Sequence, residues 1–116
     1  MPIGAINTAG QQVMQIVKRL RKELRVNTTC GASNLSFGLP NRNGLNSAFI
    51  SMAISAGMKS AITNPLHKEL MQAVRGANVV MGNDPECTQW IRNYRDPQSA
   101  QSSRAGQRRR RRRANR

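Results

Sequence analysis

Apolar side chains recur at helical spacing in several segments of the chain. The first segment predicts an amphipathic helix over residues 8–25. Thr8 and Gln11 have the spacing of a capping box, in which each side chain would bind the other residue's backbone N–H. The apolar face of this predicted helix consists of Val13, Ile16, Val17, Leu20 and Leu24.

A second helix is predicted over residues 43–56, where apolar residues again recur at helical spacing. Asn43 would cap its start, and Gly57 would end it in the left-handed conformation that glycine adopts readily. The predicted apolar stripe consists of Leu45, Ala48, Phe49, Met52, Ala53 and Ala56.

Two further helices are predicted in the second half of the chain. Asn64 followed by Pro65 is typical of a capping residue and a first helical position, which predicts a helix over residues 65–75. Its apolar positions would include Leu70, and His67 is expected to be a solvated surface residue of its first turn. A last helix is predicted from Asp84 and Pro85 onward, with Trp90, Ile91 and Tyr94 docked on the rest of the fold.

Two short segments rich in β-branched and small residues lie between the helices. "VNTTCGAS", residues 26–33, and "KSAIT", residues 59–63, predict buried strands. Strands separated by a helix favour parallel pairing, because parallel neighbours need a crossover connection. A lone strand pair is marginal in water, so this α-β-α-β-α-α order predicts part of a larger α/β domain.

Candidate chemistry is concentrated in "CGASNLSFGLPNR", residues 30–42, between the first strand and the second helix. Taken alone, Asn34 is typical of a turn residue that tolerates positive φ, and Arg42 is typical of an ordinary surface arginine. Cys30 precedes a glycine on the predicted strand and is expected to be a small core residue rather than a nucleophile.

Composition limits the cellular location. The longest largely apolar run, "AFISMAISAGM", is 11 residues long and is interrupted by serines, which argues against a spanning helix and membrane contact. Cys30 and Cys87 follow no disulfide or metal-site spacing, so no metal site is expected and a reduced cytoplasmic location is predicted.

The net charge of +14 is concentrated near one end of the chain. Residues 98–116 contain eight arginines and no acidic residue, a composition that cannot build a core. We therefore expect a folded domain over residues 1–97 and a disordered basic tail over 98–116. An alternative function is nucleic-acid binding through the tail, by phosphate attraction from Arg104, Arg108–Arg113 and Arg116.

Residues 27–66 also carry an ordered set of motifs. G-x-S-N-x-S is followed by N-R, by L-N-x-x-F in the next helix, and by A-G-M-x-x-A-I before Asn64. This series resembles the C-terminal portion of the pterin-binding methyltetrahydrofolate:corrinoid methyltransferases, which are related to the folate module of cobalamin-dependent methionine synthase. The resemblance implies the C-terminal part of a TIM (β/α)8 barrel, with residues 26–33 and 59–63 as its last two strands. Helices 8–25, 43–56 and 65–75 would be the last three outer helices.

The same resemblance implies transfer of the N5-methyl group of methyltetrahydrofolate to the cobalt of a cobalamin or other corrinoid carried by a partner protein. Asn34 matches the asparagine that contacts N5 in the family and would be catalytic. Arg42 matches the family's N-R arginine and would bind the polar edge or carboxylate tail of the folate. Asn64 could line the same mouth, although its role as a helix cap explains it equally well.

A complete barrel of this type needs about 250 residues, of which the chain supplies less than half. We therefore expect a fragment, a truncated gene product or one half of a split barrel that is inactive alone. The expected partners are the corrinoid protein and either the missing N-terminal barrel half or a second copy of the chain.

Overall fold

The computed structural model describes residues 2–95, so the predicted basic tail over 98–116 lies outside the described residues. Within residues 2–95 the chain forms four α-helices and two strands in the predicted order. They are α1 (Ala9–Arg19), β1 (Thr29–Gly31), α2 (Arg42–Ala56), β2 (Ser60–Ile62), α3 (Lys68–Val80) and α4 (Thr88–Tyr94). No helix of this part of the chain is both long enough and apolar enough to cross a membrane.

The two strands pair in parallel, as the alternation of helices and strands predicted. Cys30 lies opposite Ala61, and α2 forms the crossover between the strands. Two backbone hydrogen bonds extend the pairing at its ends: Ser60 N donates to Thr28 O at 3.3 Å, and Ala32 N donates to Ile62 O at 3.0 Å. The chain therefore contains one complete βαβ unit.

The strands are shorter and less buried than the sequence predicted. Each has three residues, and Ile62 of β2 is 74% exposed. Helices cover only one face of the sheet, where Cys30 and Ala61 pack against the core. Within residues 2–95 nothing covers the opposite face, so the prediction of buried strands is wrong for this part of the chain.

The core lies between the sheet and the helices. α2 packs against α3 over a long interface and against α1 over a shorter one. The buried side chains come from α1, the loop after β1, α2, the turn before β2, and α3: Met14, Val17, Ala32, Leu35, Phe49, Ile50, Ala53, Ala56, Met58 and Leu70.

The first helix differs from the prediction in its face and its end. α1 passes into a π-helical turn over Leu20–Leu24, and Arg25 ends it in a left-handed conformation with φ of 54°. Val17 is buried as expected, but Ile16 and Leu24 are 55% and 64% exposed. Those two side chains lie outside the face that meets α2, because α1 has only one helix to pack against in the described chain.

The capping box predicted for Thr8 and Gln11 is absent from the described structure. Thr8 already has helical backbone angles, φ −90° and ψ −4°, whereas a capping residue is typically extended. Its hydroxyl instead accepts a hydrogen bond of 3.4 Å from the side chain of Gln12.

The second helix begins one residue earlier than predicted and ends where expected. Asn41, at φ 50°, precedes Arg42 as the residue before the helix, so the predicted cap at Asn43 is wrong. Gly57 ends the helix at φ 108°, in the predicted left-handed conformation. The buried face is shifted from the predicted stripe because it serves both α1 and α3: Phe49, Ala53 and Ala56 are buried, Ile50 and Asn46 join them, and Ala48 and Met52 are exposed.

The third helix begins later than predicted, at Lys68 instead of residue 65, and continues to Val80. Asn64 does not cap it. The Asn64 Oδ1 atom accepts a hydrogen bond from Leu66 N at 3.0 Å, which closes a local turn instead. The asparagine side chain thus competes with the helix for the local backbone amides and delays its start.

The last helix begins at Thr88 instead of Pro85, directly after Cys87, but Asp84 still binds the backbone of its first turn. Its two carboxylate oxygens accept hydrogen bonds from Gln89 N at 3.0 Å and Trp90 N at 2.9 Å. The Trp90 ring lies over Gly76 of α3, where a Cβ atom would be 3.6 Å from the ring. The predicted docking of Ile91 and Tyr94 is only partial, since both side chains are exposed.

Leu70 provides a direct test of this packing. It is 1% exposed, whereas Leu66, four residues earlier, is 83% exposed. We expect Leu70→Ala to lower the free energy of unfolding by about 2–4 kcal/mol, since it removes buried methyl groups and leaves a cavity. Leu66→Ala is the matched control, and urea unfolding followed by circular dichroism should show little change. An equal loss of unfolding free energy in Leu70→Ala and Leu66→Ala would contradict the burial of Leu70 in the core.

The two cysteines should differ in reactivity. Cys30 is half-buried with its Sγ atom 3.4 Å from Met58 Sδ, and burial raises the pKa of its thiol. Cys87 is exposed. Because the thiolate is the reactive form, iodoacetamide at mildly alkaline pH should modify Cys87 well before Cys30. Mass spectrometry of timed samples measures both rates, and faster modification of Cys30 would overturn this assignment.

Candidate functional site

The predicted site residues all follow the ends of the two strands. Asn34 and Arg42 follow β1, and Asn64 follows β2. Because the carboxyl ends of parallel strands meet at one edge of a sheet, these three residues belong to the same edge. The loop between β1 and α2 carries a single 3-10 turn over Asn34–Ser36.

A polar cavity of about 290 Å³ lies at this edge. Two of the three predicted site residues, Arg42 and Asn64, line it, whereas Asn34 is not among its lining residues. The lining combines residues from the loop, the first turns of α2, and the segment between β2 and α3: Ser33, Arg42, Asn43, Asn46, Thr63, Asn64 and His67.

The guanidinium group of Arg42 is held by the loop that precedes it. Its Nη2 atom donates to Ser33 O at 2.8 Å, and its Nε atom donates to Ser36 Oγ at 3.1 Å. The guanidinium carbon also lies 5.7 Å from the centre of the Phe37 ring, within cation–π range. Arg42 is therefore tied to the loop on one side, and its other N–H groups are available for a ligand.

Two buried polar residues support this arrangement, and sequence reasoning missed both. Ser36 is 0% exposed and Asn46 is 5% exposed, and their Oγ and Oδ1 atoms are 2.7 Å apart. The sequence carries a signal for Asn46, because it is a polar residue between Leu45 and Phe49 on a largely apolar helix. Ser36 is the last residue of the G-x-S-N-x-S motif.

Asn34 is exposed at the edge of the loop rather than buried in the aliphatic core. Its side chain folds back toward the end of β1, where a Cβ atom on Gly31 would be only 2.6 Å from Asn34 Nδ2. Within residues 2–95 the amide of Asn34 makes no side-chain hydrogen bond. Its polar atoms are thus open to a ligand, and its catalytic role stays a prediction.

His67 lies in the site, contrary to the expectation of a solvated surface residue. It is half-buried, lines the cavity, and has its Nε2 atom 3.3 Å from Asn64 Nδ2. The difference follows from the late start of α3, which leaves His67 in the segment between β2 and α3, immediately before Lys68, instead of on an outer helical surface.

The cavity favours hydrogen-bond acceptors and negative charge. Arg42 supplies a cation and several asparagine amides supply N–H donors, while none of the described residues that line the cavity is acidic. A planar guanidinium group binds carboxylates and other flat acceptor edges well. The lining therefore fits an acceptor-rich organic ligand.

The fold and the cavity define a small α/β protein with a polar cavity at the carboxyl ends of its parallel strands. No family model matches the chain. Over 70 residues the chain is 34% identical to the methylcorrinoid:tetrahydrofolate methyltransferase of Eubacterium limosum. The match covers 60% of this chain and 26% of that protein, so the chain spans about a quarter of its relative's length. The predicted resemblance to corrinoid- and folate-dependent methyltransferases is confirmed over this part of the chain.

Gly31→Ala should displace the Asn34 amide without unfolding the protein. The new Cβ atom would lie 2.6 Å from Asn34 Nδ2, which is the movable end of a side chain and can shift at small cost. We expect the Asn34 side-chain NH2 signals to move in a ¹⁵N-correlation spectrum while the unfolding midpoint stays nearly constant. Gly10→Ala is the control, because Gly10 lies within α1 and a Cβ atom added there would be at an ordinary contact distance, 3.7 Å from the Leu35 side chain. Unchanged Asn34 signals in Gly31→Ala would contradict the described contact.

Proposed function

We propose that the chain forms part of the folate site of a methyltransferase that moves a methyl group between N5 of tetrahydrofolate and the cobalt of a corrinoid protein. The observation that carries this proposal is the 34% identity over 70 residues to a methylcorrinoid:tetrahydrofolate methyltransferase. The cavity supports it, because Arg42 and Asn64 lie together at the carboxyl ends of parallel strands, where ligands bind in α/β proteins.

The chemistry places a specific demand on the protein. When methyltetrahydrofolate is the donor, the N5–CH3 bond breaks, its electron pair stays on N5, and the cobalt supplies the pair for the new bond. The name of the relative describes the reverse reaction, from methylcorrinoid to tetrahydrofolate. In that direction the electron pair of N5 attacks the methyl group on cobalt, and the pair of the cobalt–carbon bond stays on the cobalt. Both directions share one transition state, so a donor that stabilises the developing charge on N5 serves both.

Asn34 is the residue proposed for that role. A neutral amide can donate a hydrogen bond to N5 that strengthens as negative character develops, without fixing the nitrogen as a salt. Two features support the assignment: the amide of Asn34 has no side-chain partner within the described chain, and Gly31 leaves it room to lie over the strand end.

Arg42 and Asn64 are proposed to bind and orient the folate. The guanidinium group presents a flat set of N–H donors that suits a carboxylate or the polar edge of the pterin ring. Asn64 and His67 complete the same wall of the cavity. These residues contact the substrate away from the reacting methyl group and would contribute mainly to its affinity.

We further propose that residues 1–97 are the C-terminal part of a TIM barrel, with β1 and β2 as its last two strands. The one-sided sheet supports this, with Ile62 74% exposed on its open face. The other barrel strands would come from an N-terminal barrel half or a second copy, and the chain alone would be inactive.

A chimera tests the proposal. The matching 70 residues of the Eubacterium limosum protein are replaced by those of this chain, and methyl transfer between methylcorrinoid and tetrahydrofolate is measured. We expect the chimera to be active and Asn34→Ala to lower kcat by about 10²–10³-fold, the usual loss for one donor to a developing charge. The unmodified chain should show no turnover.

Asn27→Ala is the matched control, because Asn27 is exposed ahead of β1 and therefore at the opposite edge of the sheet. It should retain the activity of the chimera. If the Asn34→Ala chimera folds and transfers methyl groups as fast as the parent chimera, the role assigned to Asn34 is wrong. Turnover by the unmodified chain would refute the incomplete barrel.

A further inference from the structure

We propose that Asn46 is a positioning residue that acts through Ser36 to hold the Arg42 guanidinium at the cavity. The inference rests on the proposed function for the importance of Arg42, but the hydrogen bonds themselves are a property of the fold. Asn46 lies on α2, one turn beyond Arg42, and contacts the loop that follows β1.

The hydrogen bonds between these three side chains have a fixed direction. Arginine has donors and no acceptor, so Ser36 Oγ must accept the bond from Arg42 Nε at 3.1 Å. The single hydroxyl proton of Ser36 is then free to go to Asn46 Oδ1 at 2.7 Å, the shorter of its two acceptor contacts. Arg42 therefore donates to Ser36, Ser36 donates to Asn46, and Asn46 is the last acceptor of the series.

Burial makes this order hard to rearrange. Ser36 is 0% exposed and Asn46 is 5% exposed, so water has little access to replace a lost partner. An unpaired polar group in such surroundings is unfavourable, and linked hydrogen bonds polarise one another. Removal of the Asn46 oxygen leaves Ser36 with the 3.3 Å contact to Ser33 O, a longer bond in another direction.

Helix stability does not account for an asparagine at this position. Asparagine is a weaker helix former than leucine or methionine, and position 46 is buried at 5% exposure. A residue chosen only for packing would be aliphatic. The oxygen of Asn46 is used instead to fix the Ser36 hydroxyl, which in turn receives the Arg42 Nε–H.

The same geometry leaves the amide nitrogen of Asn46 without a hydrogen-bond partner among residues 2–95. Because Asn46 lines the cavity and its oxygen is bound to Ser36, the nitrogen is its remaining polar group for a ligand. Asn46 thus positions one donor, Arg42, and supplies a second. This strengthens the preference of the cavity for acceptor groups.

The experiment measures solvent exchange of the Arg42 Nε–H proton by ¹⁵N NMR in the full chain, without folate. The signal is assigned by its loss in Arg42→Lys. We expect Asn46→Leu to accelerate this exchange about tenfold, the effect of weakening one hydrogen bond. Asn46→Asp keeps an acceptor oxygen and should restore slow exchange.

Two further variants make the result decisive. Asn43→Leu alters another asparagine of the same helix and cavity, but one that is exposed, and it should leave the exchange unchanged. Asn46→Ala, which adds no bulk, replaces Asn46→Leu should that variant fail to fold, with the same expected acceleration. Exchange as slow as in the parent chain, or equal acceleration by Asn43→Leu, would overturn the positioning role.

Tetrahydrofolate affinity is then compared in the chimera. Asn46→Leu and Arg42→Lys should each raise KM, and the double variant should raise KM by less than the product of the two single effects, because part of the Asn46 effect acts through Arg42. A double variant whose KM rises by the full product of the two single effects would contradict coupling through Arg42. A chimera that does not bind folate would contradict the proposed function alone, since the NMR result on the chain decides the positioning role without folate.

Discussion

The candidate site depends on the parallel hydrogen bonding of β1 and β2. The bonds from Ser60 N to Thr28 O and from Ala32 N to Ile62 O fix the register in which Cys30 lies opposite Ala61. In this register both strands end at one edge, so the loop that carries Arg42 and the turn that carries Asn64 border the same cavity. An antiparallel pair, or α2 on another path, would separate them.

Arg42 connects the fold to the proposed chemistry. It opens α2, binds the loop through Ser33 and Ser36, and still presents N–H groups to the cavity. A charged side chain that is exposed and unsupported loses much of its binding energy in becoming ordered. The loop and the Ser36–Asn46 pair order this one before a ligand arrives. Preorganisation of this kind is what an oriented substrate requires.

Local sequence rules predicted the features that depend on nearby residues. The element order, the parallel pairing, the left-handed Gly57 and the hydrogen bonding of Asp84 to the last helix all follow from spacing, chain connectivity or the chemistry of one residue. Asn64 shows where such rules conflict, because its side chain closes a turn with Leu66 N and the helix begins only at Lys68. The resulting position of His67 in the cavity could not be predicted without that turn.

Features that depend on distant parts of the chain were not predictable in the same way. Ser36 and Asn46 are ten residues apart and meet only because the loop folds back on α2. The predicted burial of the strands assumed neighbours on both faces of the sheet, and the described chain provides helices on one face. Of the predicted site residues, Arg42 and Asn64 share a cavity, while Asn34 lies on the adjoining loop with its role still a prediction.

The strand pairing can be measured directly through the hydrogen bond from Ala32 N to Ile62 O, which is 3.0 Å long. In the ¹⁵N,¹³C-labelled chain, NMR detects the scalar coupling across such a bond between the amide nitrogen and the carbonyl carbon. We predict a coupling between the Ala32 amide nitrogen and the Ile62 carbonyl carbon. An antiparallel pair of strands would not place these two groups in a hydrogen bond. Its absence, or a coupling from Ala32 to another carbonyl, would contradict the shared edge on which the site depends.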